Sequence, residues 1–203
     1  MRKIVTPLRW SRLALLGTMF CFFVALLAFL PSTAMAQKPV LTLKDTNRGT
    51  SVNLYATGDP GSDGFYLYKN ERYGYYAWIP SQTTRVVTLP DNGDGLRLVS
   101  KDGTASFRAS GGLVEFVDGG LKGAFDETFK AHQKTINNAL FVQNELRAFW
   151  AISWKEKDTQ HHLKFSVKGA NWSDCEFSYP ASMQGKYGQM TDDILRNFGF
   201  AEE

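Results

Sequence analysis

Residues 146–179 read LRAFWAISWKEKDTQHHLKFSVKGANWSDCEFSY, and this stretch decides the fold of the chain. It contains three runs rich in aromatic and β-branched residues, at 146–154, 161–168 and 172–179. Short polar segments separate these runs. Such runs, joined by polar connections of a few residues, are typical of strands in hairpins. The stretch therefore predicts three consecutive antiparallel strands.

More strands are predicted upstream, in two further pairs. Residues 65–68 and 73–79 flank the polar segment 69–72, and residues 96–100 and 104–109 flank Lys101-Asp102-Gly103. Glycine at the end of the second connection can take the positive φ of a tight turn. A short strand is expected at 140–143, and one weak strand at 52–55 within a polar, turn-rich leader.

Two helices follow from apolar residues at spacings of three and four. Residues 124–136 carry Phe125, Phe129, His132 and Ile136 on one stripe, with Gly123 before it and Asn137-Asn138 after it. A second helix, from about Ser182, has a stripe of the same kind, formed by Met183, Tyr187, Met190, Ile194 and Phe198. Strands and helices together indicate an α+β fold, with an antiparallel β-sheet on which the helices pack.

The first 36 residues have the pattern of a signal peptide. Four basic residues lie near the start, and an apolar stretch follows at residues 13–30. No acidic residue occurs in the first 36 positions. Ala34-Met35-Ala36 supplies small residues for cleavage, so we expect a cut after Ala36 and a periplasmic or secreted protein. The alternative is an uncleaved anchor in the inner membrane, because the apolar stretch approaches the ~20 residues that span a bilayer. Contact with a membrane is then expected only through this segment.

Charge and cysteine content limit the function of the mature chain. The chain has 23 basic and 20 acidic residues, and four of the basic ones lie in the signal segment, which leaves 19. A nearly neutral domain gives no electrostatic reason to expect a nucleic-acid partner. Of the two cysteines only Cys175 lies beyond residue 36, so no internal disulfide can form after cleavage. Cys175 alternates with Ser173, Phe177 and Tyr179, which predicts a buried thiol on one strand face.

The residue patterns of common catalytic and metal sites are missing from the sequence. The three histidines His132, His161 and His162 have no metal-ligand spacing, and adjacent strand residues point to opposite faces. No nucleophile elbow, phosphate-binding loop or dinucleotide fingerprint occurs. The oxygen-rich segment 91–95 lacks the alternating acidic residues of a calcium loop and is interpreted as a turn. We therefore predict no catalytic residues, no cofactor and no metal site.

Aromatic residues of the 65–79 hairpin are the candidate binding residues. Tyr73, Tyr75, Ala77 and Ile79 share one face of the second strand, and Tyr76 and Trp78 share the other. Strand aromatics are common simply because they pack well on a pleated surface. Their broad apolar faces with polar tips also suit contact with a sugar or a peptide, so Tyr76 and Trp78 are the predicted binding residues.

A set of short motifs carries a family resemblance over residues 65–198. The motifs are Tyr73-Gly74-Tyr75 with Ile79-Pro80, Asn92-Gly93-Asp94-Gly95, Ser100-Lys101-Asp102-Gly103, Trp150 to Trp154, and Phe177-Ser178-Tyr179-Pro180 with Tyr187 and a terminal amphipathic helix. With them the chain resembles uncharacterised exported bacterial proteins whose domain is similar to the PsbP/Mog1 α/β/α sandwich. The resemblance implies an antiparallel sheet with helices on its faces, and a superfamily that acts mostly by binding other proteins. It supplies no catalytic residue for any position here.

The predicted organisation is a signal peptide at 1–36, a polar leader at 37–64 and a single α+β domain at 65–203. The preferred function is a non-catalytic binding or accessory domain of the bacterial envelope that docks an unidentified protein or envelope component. Two alternatives stay open. One is an envelope hydrolase with a spatially assembled site that could use His132, Asp126 or His161. The other is a small-ligand carrier with an enclosed apolar cavity.

Overall fold

The structure is a computed structural model that describes residues 37–59 and 63–200. The predicted signal peptide and its cleavage site lie outside these residues. The strands are β1 (Leu41–Asp45), β2 (Thr50–Tyr55), β3 (Phe65–Asn70), β4 (Tyr75–Pro80), β5 (Arg85–Thr88), β6 (Gly95–Val99), β7 (Ser106–Leu113), β8 (Ile136–Gln143), β9 (Ala148–Glu156), β10 (Thr159–Lys168), β11 (Asn171–Pro180) and β12 (Gly199–Phe200). The helices are α1 (Gly120–His132) and α2 (Gln184–Arg196). In the described part of the chain, neither helix is long and apolar enough to cross a membrane.

A seven-stranded antiparallel sheet forms the centre of the fold, in the order β5-β6-β7-β11-β10-β9-β8. The three predicted consecutive strands are β9, β10 and β11, and their hairpins pair Leu163 with Ile152 on one side and with Glu176 on the other. The predicted pair at 96–100 and 104–109 is β6 and β7. Residues 146–179 therefore supply three adjacent strands of this sheet, as predicted.

A second antiparallel sheet has five strands in the order β1-β2-β3-β4-β12. Its hairpin of β3 and β4 is the one predicted between residues 65 and 79. Two strands, β1 and β2, lie in the segment where the sequence predicted one, and β2 pairs with β3 through Leu54 and Tyr55. The prediction of a single strand there was wrong because β1 is short and has only Leu41 and Leu43 as an apolar alternation.

The layers confirm the predicted α+β class. Helix α1 packs on one face of the seven-stranded sheet, and α2 packs on the other face together with the five-stranded sheet. The large core between the sheets contains Phe107, Phe177, Tyr187 and Ile194, all fully buried. A smaller core lies under α1. Burial of these aromatic side chains is the main stabilising contribution in a chain without a disulfide in its described part.

The first helix begins and ends about four residues earlier than predicted. It runs from Gly120 to His132, and Ile136 is already the first residue of β8, opposite Trp154. Gly119, with a φ of 68°, allows the early start, and the amide of Thr135 bonds to the carbonyl of His132 at 2.8 Å in the turn that ends it. Ile136 belongs to the strand β8, and its side chain packs into the core under α1 from there. Its agreement with the helical spacing is therefore a coincidence.

Candidate functional site

The outer face of the five-stranded sheet holds the two predicted binding residues. Tyr76 and Trp78 of β4 alternate with the buried Tyr75, Ala77 and Ile79, so their half-buried side chains point away from the core. The alternation predicted from the sequence is therefore present.

Neighbouring strands extend this surface. Leu67 lies opposite Trp78 and next to Tyr55 of β2, and Lys69 lies opposite Tyr76. The rings of Phe65 and Trp78 pack with their centroids 5.4 Å apart, and the ammonium of Lys69 lies 5.5 Å from the centroid of Tyr55. We call this set the aromatic face, and it consists of Tyr55, Phe65, Leu67, Lys69, Tyr76 and Trp78.

The aromatic face is open in the described part of the chain. Helix α1 packs on the seven-stranded sheet, and α2 contributes Tyr187 and Ile194 to the core between the sheets, so neither helix covers it. Its members are half-buried except for the exposed Lys69. A sheet surface of this kind offers apolar contact area with few polar groups that need a specific partner. It suits contact with another extended surface better than enclosure of a small molecule.

A polar cleft lies on the opposite side of the fold, on the outer face of the seven-stranded sheet. It has a volume of about 250 Å³ and is lined by Arg97, Ser106, Arg108, His161, Glu176 and Ser178. Strand alternation and register bring these residues from β6, β7, β10 and β11 to one face. Glu176 lies on the face of β11 that points away from Cys175, and the register places it beside Arg108 of β7 and Leu163 of β10.

Ion pairs link the charged groups of the cleft to one another. Arg108 donates to Asp174 at 2.9 Å and lies 3.6 Å from Glu176, which in turn bonds to Nδ1 of His161 at 2.8 Å. Burial raises the pKa of Asp174, although Arg108 opposes this, and one carboxylate oxygen has no hydrogen-bond partner. Burial also raises the pKa of Glu176, but His161 and Arg108 outweigh it, so that this pKa is lowered. Most of the charge in the cleft is thus balanced internally.

The residues named for a hydrolase are not assembled into a catalytic site. His132 and His161 stack on the two sides of Trp154, with centroid distances of 4.2 and 4.9 Å. Asp126 forms an ion pair with Lys122 on α1 instead of facing either histidine. Within the residues that the structure describes, no group of three or more His, Cys, Asp or Glu could hold a metal ion.

Ser178 is the serine of the cleft that is best placed to act as a nucleophile. It lies opposite His161 in the strand register, and His161 is oriented by Glu176. No hydrogen bond joins Ser178 to His161 in the described structure, so a formed nucleophile and base pair is not present. Some catalytic hydrogen bonds form fully only when substrate is bound, so the missing hydrogen bond between these two described side chains does not by itself exclude such a role.

A second polar cluster attaches α2 to the seven-stranded sheet. Nδ1 of His162 lies 2.8 Å from Ser153 Oγ, its Nε2 lies 3.1 Å from the hydroxyl of Tyr179, and that hydroxyl donates to Gln184 at the start of α2. Burial lowers the pKa of His162 to about 4. The imidazole is therefore neutral near pH 7, and it positions the helix.

Cys175 is fully buried, as predicted, and burial raises the pKa of its thiol. A thiol without thiolate character and without access is a poor nucleophile.

Segment 91–95, interpreted as a turn, joins β5 to β6, and the side chain of Asn92 donates to Asp94 within it.

Comparison with known proteins found similar chains among the solved structures. No family model matches the chain, and no curated protein matches it. The solution structure of PsbP (CyanoP) from Synechocystis sp. PCC 6803 superposes with a TM-score of 0.48 and 9% identity, over 71% of this chain and 99% of that one. PA94 from Pseudomonas aeruginosa, a protein of unknown function, gives a TM-score of 0.42 and 10% identity, over 68% and 99% of the two chains. The first of these proteins is a PsbP, and PsbP is the family that the sequence motifs resemble. At 9% and 10% identity the similarity concerns the fold alone.

Proposed function

We propose that the chain is an exported, non-catalytic binding or accessory domain of the bacterial envelope that docks a protein or an envelope component through its aromatic face. The proposal rests on the aromatic face itself, which gathers Tyr76 and Trp78 with apolar neighbours on a sheet surface that neither described helix covers. Export rests on the signal pattern of the first 36 residues.

Docking of a large partner fits the chemistry of this face. Tyr and Trp side chains bury much apolar area with little loss of conformational entropy, and they are enriched where protein surfaces bind. Lys69 at the margin supplies a charge at the rim, where charged groups affect the rate and specificity of association. A carrier of apolar ligands is less well supported, because polar and charged side chains line the cleft on the other sheet.

Site-specific photocrosslinking tests the docking proposal. A photoreactive phenylalanine analogue is placed at Trp78 and, as the matched control, at Phe116, which is 78% exposed and lies outside the aromatic face. We expect a defined crosslinked species in the host envelope from position 78 and none from position 116. Equal labelling from both positions, or none from position 78 in a correctly folded and localised protein, contradicts the proposal.

Export is tested separately by fractionation and N-terminal sequencing. A cleaved precursor gives a protein in the periplasm or medium that begins at Gln37. Recovery of the intact N-terminus in the membrane fraction instead supports the anchored alternative, and recovery in the cytoplasm contradicts export.

A second candidate function is an envelope hydrolase that uses the polar cleft. The hydrogen bond between His161 and Glu176, with Ser178 directly opposite His161, favours it. Its test is a broad screen with ester, amide and glycoside substrates. Turnover that disappears in Ser178→Ala but persists in the neighbouring variant Ser106→Ala supports a hydrolase and overturns the non-catalytic reading.

A further inference from the structure

The two sheets have four edge strands in the described part of the chain, and they differ in how they resist pairing with another strand. β12 has two residues, and β5 has four with a bulge after Val86 and an arginine at its start. β1 has five residues and carries Lys44 and Asp45. Short length, charge and bulges are the usual means by which proteins protect an exposed edge.

Strand β8 is not protected in this way. Its eight residues, INNALFVQ, contain no charged residue and no proline. A bulge between Ile136 and Asn138 affects only its first residues, and 138–143 pair regularly with β9. Among the described residues no strand pairs with its outer side, so its outward N–H and C=O groups are available.

Apolar side chains accompany this free edge. Leu140 is 49% exposed, an unusual exposure for a leucine in a strand. Val142 and Phe149 lie on the same sheet face and are half-exposed. On the other face Phe141 packs against Phe125 of α1, with centroids 5.2 Å apart. The edge thus combines backbone pairing capacity with a strip of unburied apolar surface.

We propose that β8 pairs antiparallel with β8 of a second copy of the chain, across a two-fold axis at Leu140. In this register Leu140 lies opposite the partner's Leu140, and Phe141 lies opposite the partner's Ala139. The two seven-stranded sheets then join into one continuous sheet. The aromatic face lies on the other sheet and stays open, so this inference is independent of the proposed function.

The charge pattern around β8 favours a second copy over an unrelated strand. Because the strand is uncharged, pairing with itself places no like charges opposite one another. Lys134 precedes the strand and Glu145 follows it, both are exposed, and neither has an ion pair in the described part of its own chain. Antiparallel pairing brings Lys134 to the end of the strand where the partner's Glu145 lies. Such self-complementarity is what a two-fold interface requires.

Sedimentation equilibrium on the protein as the host produces it tests the pairing. We expect a concentration-dependent dimer for the unaltered protein. In Leu140→Lys two ammonium groups would meet at the axis, so the dimer dissociation constant should rise by at least about tenfold. Val87→Lys is the matched control, because Val87 is 48% exposed and lies on β5 at the opposite edge of the same sheet, so it should leave the dimer intact.

A disulfide test covers the case in which Leu140→Lys unfolds the chain. Residues opposite each other in an antiparallel pair have Cα atoms about 4.5–5.5 Å apart, within the range that a disulfide spans. Leu140→Cys should therefore give a covalent dimer on mild oxidation, while Leu146→Cys and the unaltered chain should not. A monomer at all concentrations, or a dimer that Leu140→Lys leaves unchanged and Leu140→Cys does not crosslink, overturns the proposal.

Discussion

Replacing Arg108 with methionine should destabilise the protein strongly, because it leaves a carboxyl group buried without its counter-charge. The side chain of Asp174 is only 12% exposed and its single ionic partner at hydrogen-bond distance is Arg108, at 2.9 Å. Removing one partner of a buried ion pair costs about 3–5 kcal/mol. The side chain of Arg108 is itself 37% exposed, so we expect the lower end, about 3 kcal/mol, at pH 7.

Urea unfolding followed by tryptophan fluorescence measures this loss. The pH dependence carries a second expectation, because the raised pKa of Asp174 should rise further without Arg108. A carboxyl group with a raised folded-state pKa destabilises the fold above its unfolded pKa of about 3.9, and the cost grows as pH rises towards the folded value. The difference between Arg108→Met and the unaltered protein should therefore shrink as pH is lowered towards about 4.

Two variants control this experiment. Arg97 lies opposite Arg108 in the same strand register, but it is exposed and forms no ion pair with any residue that the structure describes, so Arg97→Met should change stability by less than about 0.5 kcal/mol. Asp174→Asn combined with Arg108→Met should recover most of the loss, because position 174 then carries no buried charge and Glu176 keeps its bond to His161. Equal losses in Arg97→Met and Arg108→Met, or no recovery in the double variant, would refute the argument.

Three further expectations concern the described core. The contribution of His162 to stability should be constant above about pH 6.5 and fall by about 2 kcal/mol as pH drops to about 4, because burial lowers its pKa to about 4 and its ring is partly screened by solvent. His162→Gln should remove this contribution in urea titrations at several pH values. Gly111→Val should cost about 1–3 kcal/mol, since a Cβ there would lie 2.6 Å from the ring of Tyr75, and a melting temperature equal to that of the unaltered protein would contradict this close approach. Gly185→Ala, in an open position near the start of α2, should instead raise stability by about 0.5 kcal/mol, as thermal unfolding would show.

Strands with strong alternation and local partners could be predicted from the sequence. The β9, β10 and β11 hairpins use short polar turns between aromatic runs, so neighbouring residues along the chain carry all the information. Strand β5 was missed because its four residues, Arg85–Thr88, are too few to show a period, and it forms only against β6. The start of α1 was missed because the positive φ of Gly119 is not visible in the spacing of apolar residues.

The candidate sites were predictable only in part, for the same reason. Alternation within β4 was enough to place Tyr76 and Trp78 on one face. Tyr55 joins that face only through the pairing of β2 with β3, across a connection whose register no local pattern fixes. In the polar cleft, Glu176 and His161 meet through the local hairpin of β10 and β11. Arg108 joins them only through the pairing of β7 with β11, whose register no local pattern fixes.

Among the described residues, the polar cleft and the aromatic face differ in which side-chain groups they leave without a partner, and this difference supports the proposal of docking at the aromatic face. In the polar cleft Arg108 is balanced by Asp174 and Glu176, and Glu176 also bonds to His161, so a ligand would have to displace interactions that are already made. The half of the same sheet that is apolar is covered by α1 over Trp150 and Phe165. On the five-stranded sheet the apolar side chains around Trp78 have no such cover in the described residues, and burying them against a partner gains free energy without breaking an existing ion pair. The proposed docking therefore predicts that Trp78→Ala weakens the association more than Arg108→Met does, when both variants are compared under conditions in which they remain folded.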